Sequence, residues 1–343
     1  MRARLALSVF ALVGLVAVPG GSTLDPARAF LTTAFNLSPA DISAVDDGQI
    51  VARTLRVTNR REVATLGVIR IQTTPAAYVE RLRDIVNFKR TDGVLQIGTF
   101  SDPPQQRDVA ALTVEQGDLD RLRECRVEDC GLRLSADGIE RIRREIDWRA
   151  ADAPVKASDL VRRLLVDYVT RYHEVGAAAA MAYADTASPL NVGHEFASLV
   201  DADTATWKYV PRLRRHLLAY PAVTDEGMSD FIYWSKERVH SRPVISITHV
   251  AIAPAVDDGP VNIAIASKQI YAMHYFDASL GLTLLVRAPS GPSPATYVVY
   301  LNRTRIDLFD GLFGGVARRI AAGRARSLVA EQLARLQKSF VAP

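Results

Sequence analysis

Thr296-Tyr297-Val298-Val299-Tyr300-Leu301-Asn302-Arg303-Thr304-Arg305-Ile306-Asp307-Leu308 leads into the long stretch Leu312–Phe340, and this succession decides the fold. The first segment is rich in aromatic and β-branched residues and reads as a strand. The second sets Phe313, Val316, Ile320, Leu328, Leu333 and Leu336 on one side and arginines on the other, the pattern of a single long helix. Upstream, Phe231–Val239, Val244–Ala253, Asn262–Phe276 and Leu282–Arg287 have strand character as well. Turn clusters separate these runs at Ser241-Arg242-Pro243, Asp257-Asp258-Gly259-Pro260, Ser279-Leu280-Gly281 and Pro289–Pro294. Long consecutive strands joined by short turns predict an antiparallel meander.

Working towards the N-terminus, Ser135–Tyr220 has helical apolar spacing throughout, with one stripe at Ile139, Ile142 and Ile146 and a longer one from Leu160 to Tyr172. This predicts a helical layer inserted between two groups of strands. Before it, Gln49–Thr58 and Arg61–Gln72 flank a turn and predict a strand pair, and Thr74-Pro75 opens a helix with Tyr78, Leu82 and Ile85 on one face. Val94–Phe100 and Asp108–Glu115 predict a second strand pair.

The chain has 343 residues, 48% of them hydrophobic and 23% charged, which excludes disordered, collagen-like and disulfide-dense classes. Lys+Arg 42 against Asp+Glu 38 gives a net charge of +4. No basic stripe with interleaved aromatics accompanies that charge, so no nucleic-acid partner is expected. The opening Met1-Arg2-Ala3-Arg4 and the apolar run Leu5–Val18 predict a secretory signal over residues 1–29, ending at Ala27-Arg28-Ala29, with an earlier cut near Gly20–Ser22 as the alternative. Export to the periplasm or the extracellular space follows, with an uncleaved N-terminal anchor as the alternative to a removed signal. Cys125 and Cys130 are the only cysteines, and an oxidising compartment predicts one local disulfide between them, worth roughly 2 kcal/mol by loop closure.

The strand-into-helix segment Gly67–Asp84, with its Thr74-Pro75 start, and Tyr297–Asp307 leading into the terminal helix together resemble the helix-grip architecture of the START-like (SRPBCC) superfamily. The resemblance covers roughly residues 60–115 and 230–340. It implies an α+β fold in which a curved antiparallel sheet grips the long C-terminal helix around an apolar cavity. Residues 30–134 and 228–343 then form one domain, and 135–227 are a helical insertion. Proteins of this superfamily bind lipids or other hydrophobic small molecules, and a minority catalyse hydrolysis or cyclisation. A curled sheet meeting one helix also leaves concave surface for a ligand. Gly311, Gly314, Gly315 and Gly323 should weaken the first half of that helix, so that it bends or moves as a lid.

The late strands are polar for core strands. Alternation places Lys268, Ala272 and His274 on one face, and separates Arg303, Arg305 and Asp307 from Tyr300, Asn302 and Thr304. The expected ligand-binding residues are Trp234, Lys268, Tyr271, His274, Asn302 and Arg303, and the competing reading of these groups is a ladder of opposite charges between strands. Lys236, Glu237 and His249 add polar groups, whereas His173, His194, His216 and His240 are scattered. Gly-x-Ser-x-Gly, His-Glu-x-x-His and phosphate-loop patterns are missing, so neither a catalytic residue, a metal nor a cofactor is expected. The leading reading is an exported, non-catalytic binder of a hydrophobic small molecule or lipid. The alternatives are an envelope protein whose terminal helix, through Arg318, Arg319, Arg324 and Arg326, touches anionic membrane, and a START-like hydrolase or cyclase.

Overall fold

A computed structural model describes residues 25–340 apart from 224, 240–241, 255–258, 290, 292 and 308–313. The apolar leader run, His240, Leu312 and Phe313 therefore lie outside the described residues. Asp25 caps α1 (Pro26–Phe35), its carboxylate accepting from the Ala27 and Arg28 N–H groups at 2.9 and 3.3 Å. The predicted signal boundary after Ala29 falls inside this helix, whose Ala27 and Phe30 are buried. Ser38 and Asp41 form a reciprocal capping box on α2 (Pro39–Asp46). A hairpin of β1 (Val51–Thr54) and β2 (Glu62–Ile71) follows. Next come α3 (Pro75–Arg83), α4 (Ile85–Phe88) and β3 (Val94–Thr99).

The central block contains α5 (Gln116–Glu124), α6 (Ala136–Glu145) and the long α7 (Ala153–Val175). After them come a ribbon of β4 (Ala182–Tyr183) and β5 (Leu190–Asn191), then α8 (Val192–Asp201), α9 (Thr204–Trp207) and α10 (Pro211–Ala219). The meander is β6 (Ser229–Val239), β7 (Arg242–Pro254), β8 (Ile263–Ala272), β9 (Phe276–Arg287) and β10 (Thr296–Ile306), and α11 (Gly314–Ser339) closes the chain.

Among the described residues, the large sheet has eight antiparallel strands in the order β1-β2-β10-β9-β8-β7-β6-β3 and is open, with β1 and β3 at its edges. Both faces are covered. Leu66, Val68, Ala266, Leu282, Leu284 and Val299 face α1, α2, α8 and α10. Farther along the same face, Ile232, Trp234, Ile245 and Ile247 meet α5, α6 and α7. The opposite face presents Ile69, Ile71, Val250, Ile265, Leu285 and Val298 to α3, α4 and α11. Double-sided burial explains why these strands are almost continuously apolar rather than alternating. Among the described residues, no helix is long and apolar enough to cross a membrane. Cys125 and Cys130 are disulfide-bonded.

Several sequence expectations change. Asp108–Glu115 is not a strand. Asp108 instead accepts hydrogen bonds from the Ser101 and Gln105 N–H groups at 3.0 and 2.7 Å, which coils the chain there into a short 3-10 turn. The partner of β3 is β6, more than a hundred residues downstream. Asn262–Phe276 is not one strand either. It breaks at Met273–Tyr275, where Tyr275 takes φ 64°, and the expected turn at Ser279-Leu280-Gly281 lies within β9. Gly281 serves close packing there, since a Cβ on it would sit 3.3 Å from the Tyr300 hydroxyl. The helical spacing of 135–220 is interrupted by the β4–β5 ribbon. Its approach begins at Gly176, φ 55°, where an added Cβ would overlap the Tyr220 carbonyl.

Helix α11 lies against β2 and β1 through Val329 and Leu333, which are buried over Gly67. A Cβ at Gly67 would overlap the Leu333 side chain and come within 2.7 Å of Val329 Cγ1, so glycine allows the helix to approach. Three other residues of the predicted apolar side behave differently. Val316, Ile320 and Leu328 are 62%, 64% and 52% exposed. The helix is continuous through Gly315 and Gly323, and nothing lies within 4 Å of a Cβ added at either.

Candidate functional site

Between the second face of the sheet and its roof of α3, α4 and α11 lies a cavity of about 390 Å³. Its floor is built by alternation, with Tyr233 on β6, Ile265 and Ser267 on β8, Thr283 on β9, and Val298 and Tyr300 on β10. The roof follows from local sequence. The Thr74 hydroxyl accepts from the Ala77 N–H at 3.2 Å and Pro75 starts α3, so Tyr78 and Leu82 point inward one turn apart. Ile85 and Phe88 continue that surface from α4, and Leu333 and Leu336 complete it from α11. Tyr78 meets Phe88 edge-on at 5.7 Å and stacks on Phe340 at 5.9 Å, which ties the end of the terminal helix to α3.

One corner of the cavity is polar. Lys89 Nζ donates to Glu237 Oε1 at 2.8 Å and to the Tyr233 hydroxyl at 3.3 Å, and the Ser235 hydroxyl donates to the same carboxylate oxygen at 2.7 Å. Burial opposes both charges. The adjacent Tyr233 and Glu237 nevertheless hold the Lys89 pKa above its ordinary value, and Lys89 holds that of Glu237 below. The corner is thus a matched ion pair with hydroxyls beside it. Burial pushes the Tyr78 and Tyr300 phenols up, so both remain neutral donors at neutral pH. At the mouth, the exposed side chains of Arg81, Arg90 and Arg335 add positive charge.

The six expected ligand-binding residues are not brought together. Asn302 is on the cavity face, its amide donating to the Tyr300 hydroxyl at 3.5 Å. Trp234 lies buried on the opposite face and donates through Nε1 to the Asp108 carbonyl at 2.8 Å. Lys268 is buried on that face too, donating to the Leu217 carbonyl at 3.2 Å with its ammonium over the Phe196 and Tyr172 rings. Tyr271 donates to the Arg133 carbonyl at 3.2 Å. His274 occupies the β8–β9 turn, with Nε2 3.1 Å from Asp118 Oδ1, and both side chains are buried away from the cavity. Arg303 pairs across the strands with Glu62, as the charge-ladder reading expects. The other ion pairs nearby are not rungs between strands: Arg305 and Arg61 reach Glu195 on α8 at 2.6 and 2.9 Å, and Arg133, outside the strands, pairs with Asp277 at 2.6 Å.

Lys89, Tyr78 and Tyr233 were not singled out from the sequence as ligand-binding residues. Tyr300 and Asn302 share a face by parity, which was a readable signal, but Lys89 reaches Glu237 only because β3 pairs with β6. Among the described residues, the cavity lining sets no histidine or cysteine beside the Glu237 carboxylate. Comparison with protein-family models, curated proteins and solved structures finds no match to this chain.

Proposed function

We propose that this protein binds an amphipathic small molecule, of the lipid class, without transforming it, and that the ligand lies between sheet and terminal helix as in START-like proteins. The observation that carries this reading is the cavity itself. At about 390 Å³ it is within the roughly 300–1,000 Å³ range of small-molecule sites, and its lining is divided evenly between aliphatic or aromatic side chains and polar or charged ones, as an amphipathic ligand requires. The Lys89–Glu237 pair is internally neutralised, so the interior suits an uncharged apolar body with a hydrogen-bonding group. Arg81, Arg90 and Arg335 at the mouth suit an acidic headgroup. The seat of α11 on Gly67 supports a helix-grip arrangement, and the leader sequence and the disulfide support export. A cut near Gly20–Ser22 would leave the Asp25 cap of α1 intact. Native mass spectrometry of the protein purified from the periplasm should show a copurifying ligand, and fluorescent fatty-acid probes should bind at micromolar concentration. Absence of both rejects the reading.

A second reading has its own observation. Val316, Ile320 and Leu328 are exposed on α11 together with Arg324, and Arg319 and Arg326 are exposed on the same helix. This supports contact with an anionic lipid surface. Cosedimentation with phosphatidylglycerol vesicles that weakens with salt would favour it, and no cosedimentation at low salt would end it. For hydrolysis or cyclisation, His274 does bond a carboxylate, but neither partner lines the cavity.

A further inference from the structure

On the face of the sheet opposite the cavity, Asp230 of β6 and His249 of β7 lie diagonally across neighbouring strands, and His216 descends onto them from α10. Both imidazole Nε2 atoms converge on one carboxylate oxygen, His216 at 2.8 Å and His249 at 2.7 Å from Asp230 Oδ1. The far nitrogens are held as well. His216 Nδ1 is 2.5 Å from the Val223 carbonyl, and His249 Nδ1 is 2.9 Å from the Tyr172 hydroxyl. A carbonyl can only accept, so His216 carries its proton on Nδ1 and a neutral ring aims the Nε2 lone pair at the carboxylate. A lone pair facing an anion calls for a cation between them or a second proton on the ring. The two histidines are fully buried, whereas the Asp230 side chain is 18% exposed, and the Tyr220 ring packs on His249 with centroids 4.4 Å apart.

We propose that His216, Asp230 and His249 form a binding site for a divalent transition metal ion, with zinc as the ion of best-matched chemistry. The three donor atoms lie within 4.8 Å of one another, and two imidazoles with one carboxylate form a recurrent donor set for such ions. Each histidine is oriented through its other nitrogen by a carbonyl or a hydroxyl, the outer support that metal-bound imidazoles need. Zinc bonds of about 2.0–2.2 Å put tetrahedral ligand atoms roughly 3.3 Å apart, so entry of an ion widens both contacts by about half an ångström. Rotation of the Asp230 carboxylate supplies that movement, and its exposed edge leaves a position open to water. Lys268 shares the layer, but its ammonium is directed at the Leu217 carbonyl and the Phe196 and Tyr172 rings. The proposal is independent of the cavity and of what occupies it.

The test is titration of metal-stripped, full-length protein with zinc chloride, followed by calorimetry, and with cobalt chloride, followed by visible absorption. One equivalent should bind with sub-micromolar Kd, and cobalt should develop the bands of a four- or five-coordinate nitrogen and oxygen site. Asp230→Asn and His249→Gln should weaken binding by at least a hundredfold. Tyr172→Phe removes only the hydroxyl supporting His249 and should weaken it 10- to 100-fold while the far-ultraviolet spectrum stays unchanged. The wild-type titration decides the matter even if a variant fails to fold. Absence of stoichiometric binding below about 100 μM overturns the proposal and leaves a hydrogen-bonded imidazolium–carboxylate cluster. Undiminished binding in folded Asp230→Asn protein overturns it equally.

Discussion

Ser267→Phe places an aromatic ring inside the cavity from the middle of its floor, beside Gly281 on the next strand. The ring displaces roughly four ligand methylenes, and at about 0.8 kcal/mol for each buried methylene the lost transfer energy is about 3 kcal/mol. That corresponds to roughly a hundredfold weaker binding. Filling a pre-existing space should also stabilise the free protein by about 0.5–2 kcal/mol. Ligand affinity is read by displacement of a fluorescent fatty acid, and stability by urea unfolding of the ligand-free protein. The two readouts should move in opposite directions. A variant that binds the probe as tightly as wild type would refute the placement of the ligand between sheet and helix. One destabilised by several kcal/mol would refute the existence of usable space at Ser267.

Three further substitutions probe the frame around the two sites. Burial opposes the Glu195 charge, yet hydrogen bonds from Arg305 and Arg61 outweigh it and hold the folded pKa below the ordinary 4.5. The resulting stabilisation is therefore complete above that pH and is lost as the pH falls through the folded value. Glu195→Gln should cost about 2 kcal/mol at pH 7 and flatten the pH dependence of urea unfolding below pH 5. Gly323→Ala adds a methyl group to open space and should stabilise α11 by about 1 kcal/mol, raising the urea midpoint, and a lowered midpoint would mean that this turn of helix packs on something. Gly176→Ala should instead cost about 2–4 kcal/mol, from the positive φ together with the overlap on the Tyr220 carbonyl, and wild-type stability would contradict the close approach.

The parts of this fold that were legible in the sequence are those governed by local chemistry. The Thr74-Pro75 helix start, the stripe along α7, the strand character of the meander and the cysteine pair all appear in the structure. What could not be read depends on pairings distant in sequence. The union of β3 with β6 creates the Lys89–Glu237 corner, and no local pattern announces it. Face assignment failed for a related reason. The β7–β8 register skips Ile270, and the turn at Met273–Tyr275 carries no glycine or proline, so alternation counted from Lys268 to His274 crossed an irregularity and a strand end. Strands buried on both sides also lack the polar–apolar rhythm that reveals orientation. The histidines at 216 and 249 are far apart in the chain and converge on Asp230, a residue that no spacing rule marks.

The β6 strand bears Asp230 on one side and Tyr233 and Glu237 on the other, so an even-numbered residue belongs to the histidine cluster while odd-numbered ones belong to the cavity. Inserting or deleting one residue between them would turn one set towards the wrong layer without altering composition at all. Substitutions can tune either set separately, but the length of that eight-residue interval is a shared inheritance that neither can change alone.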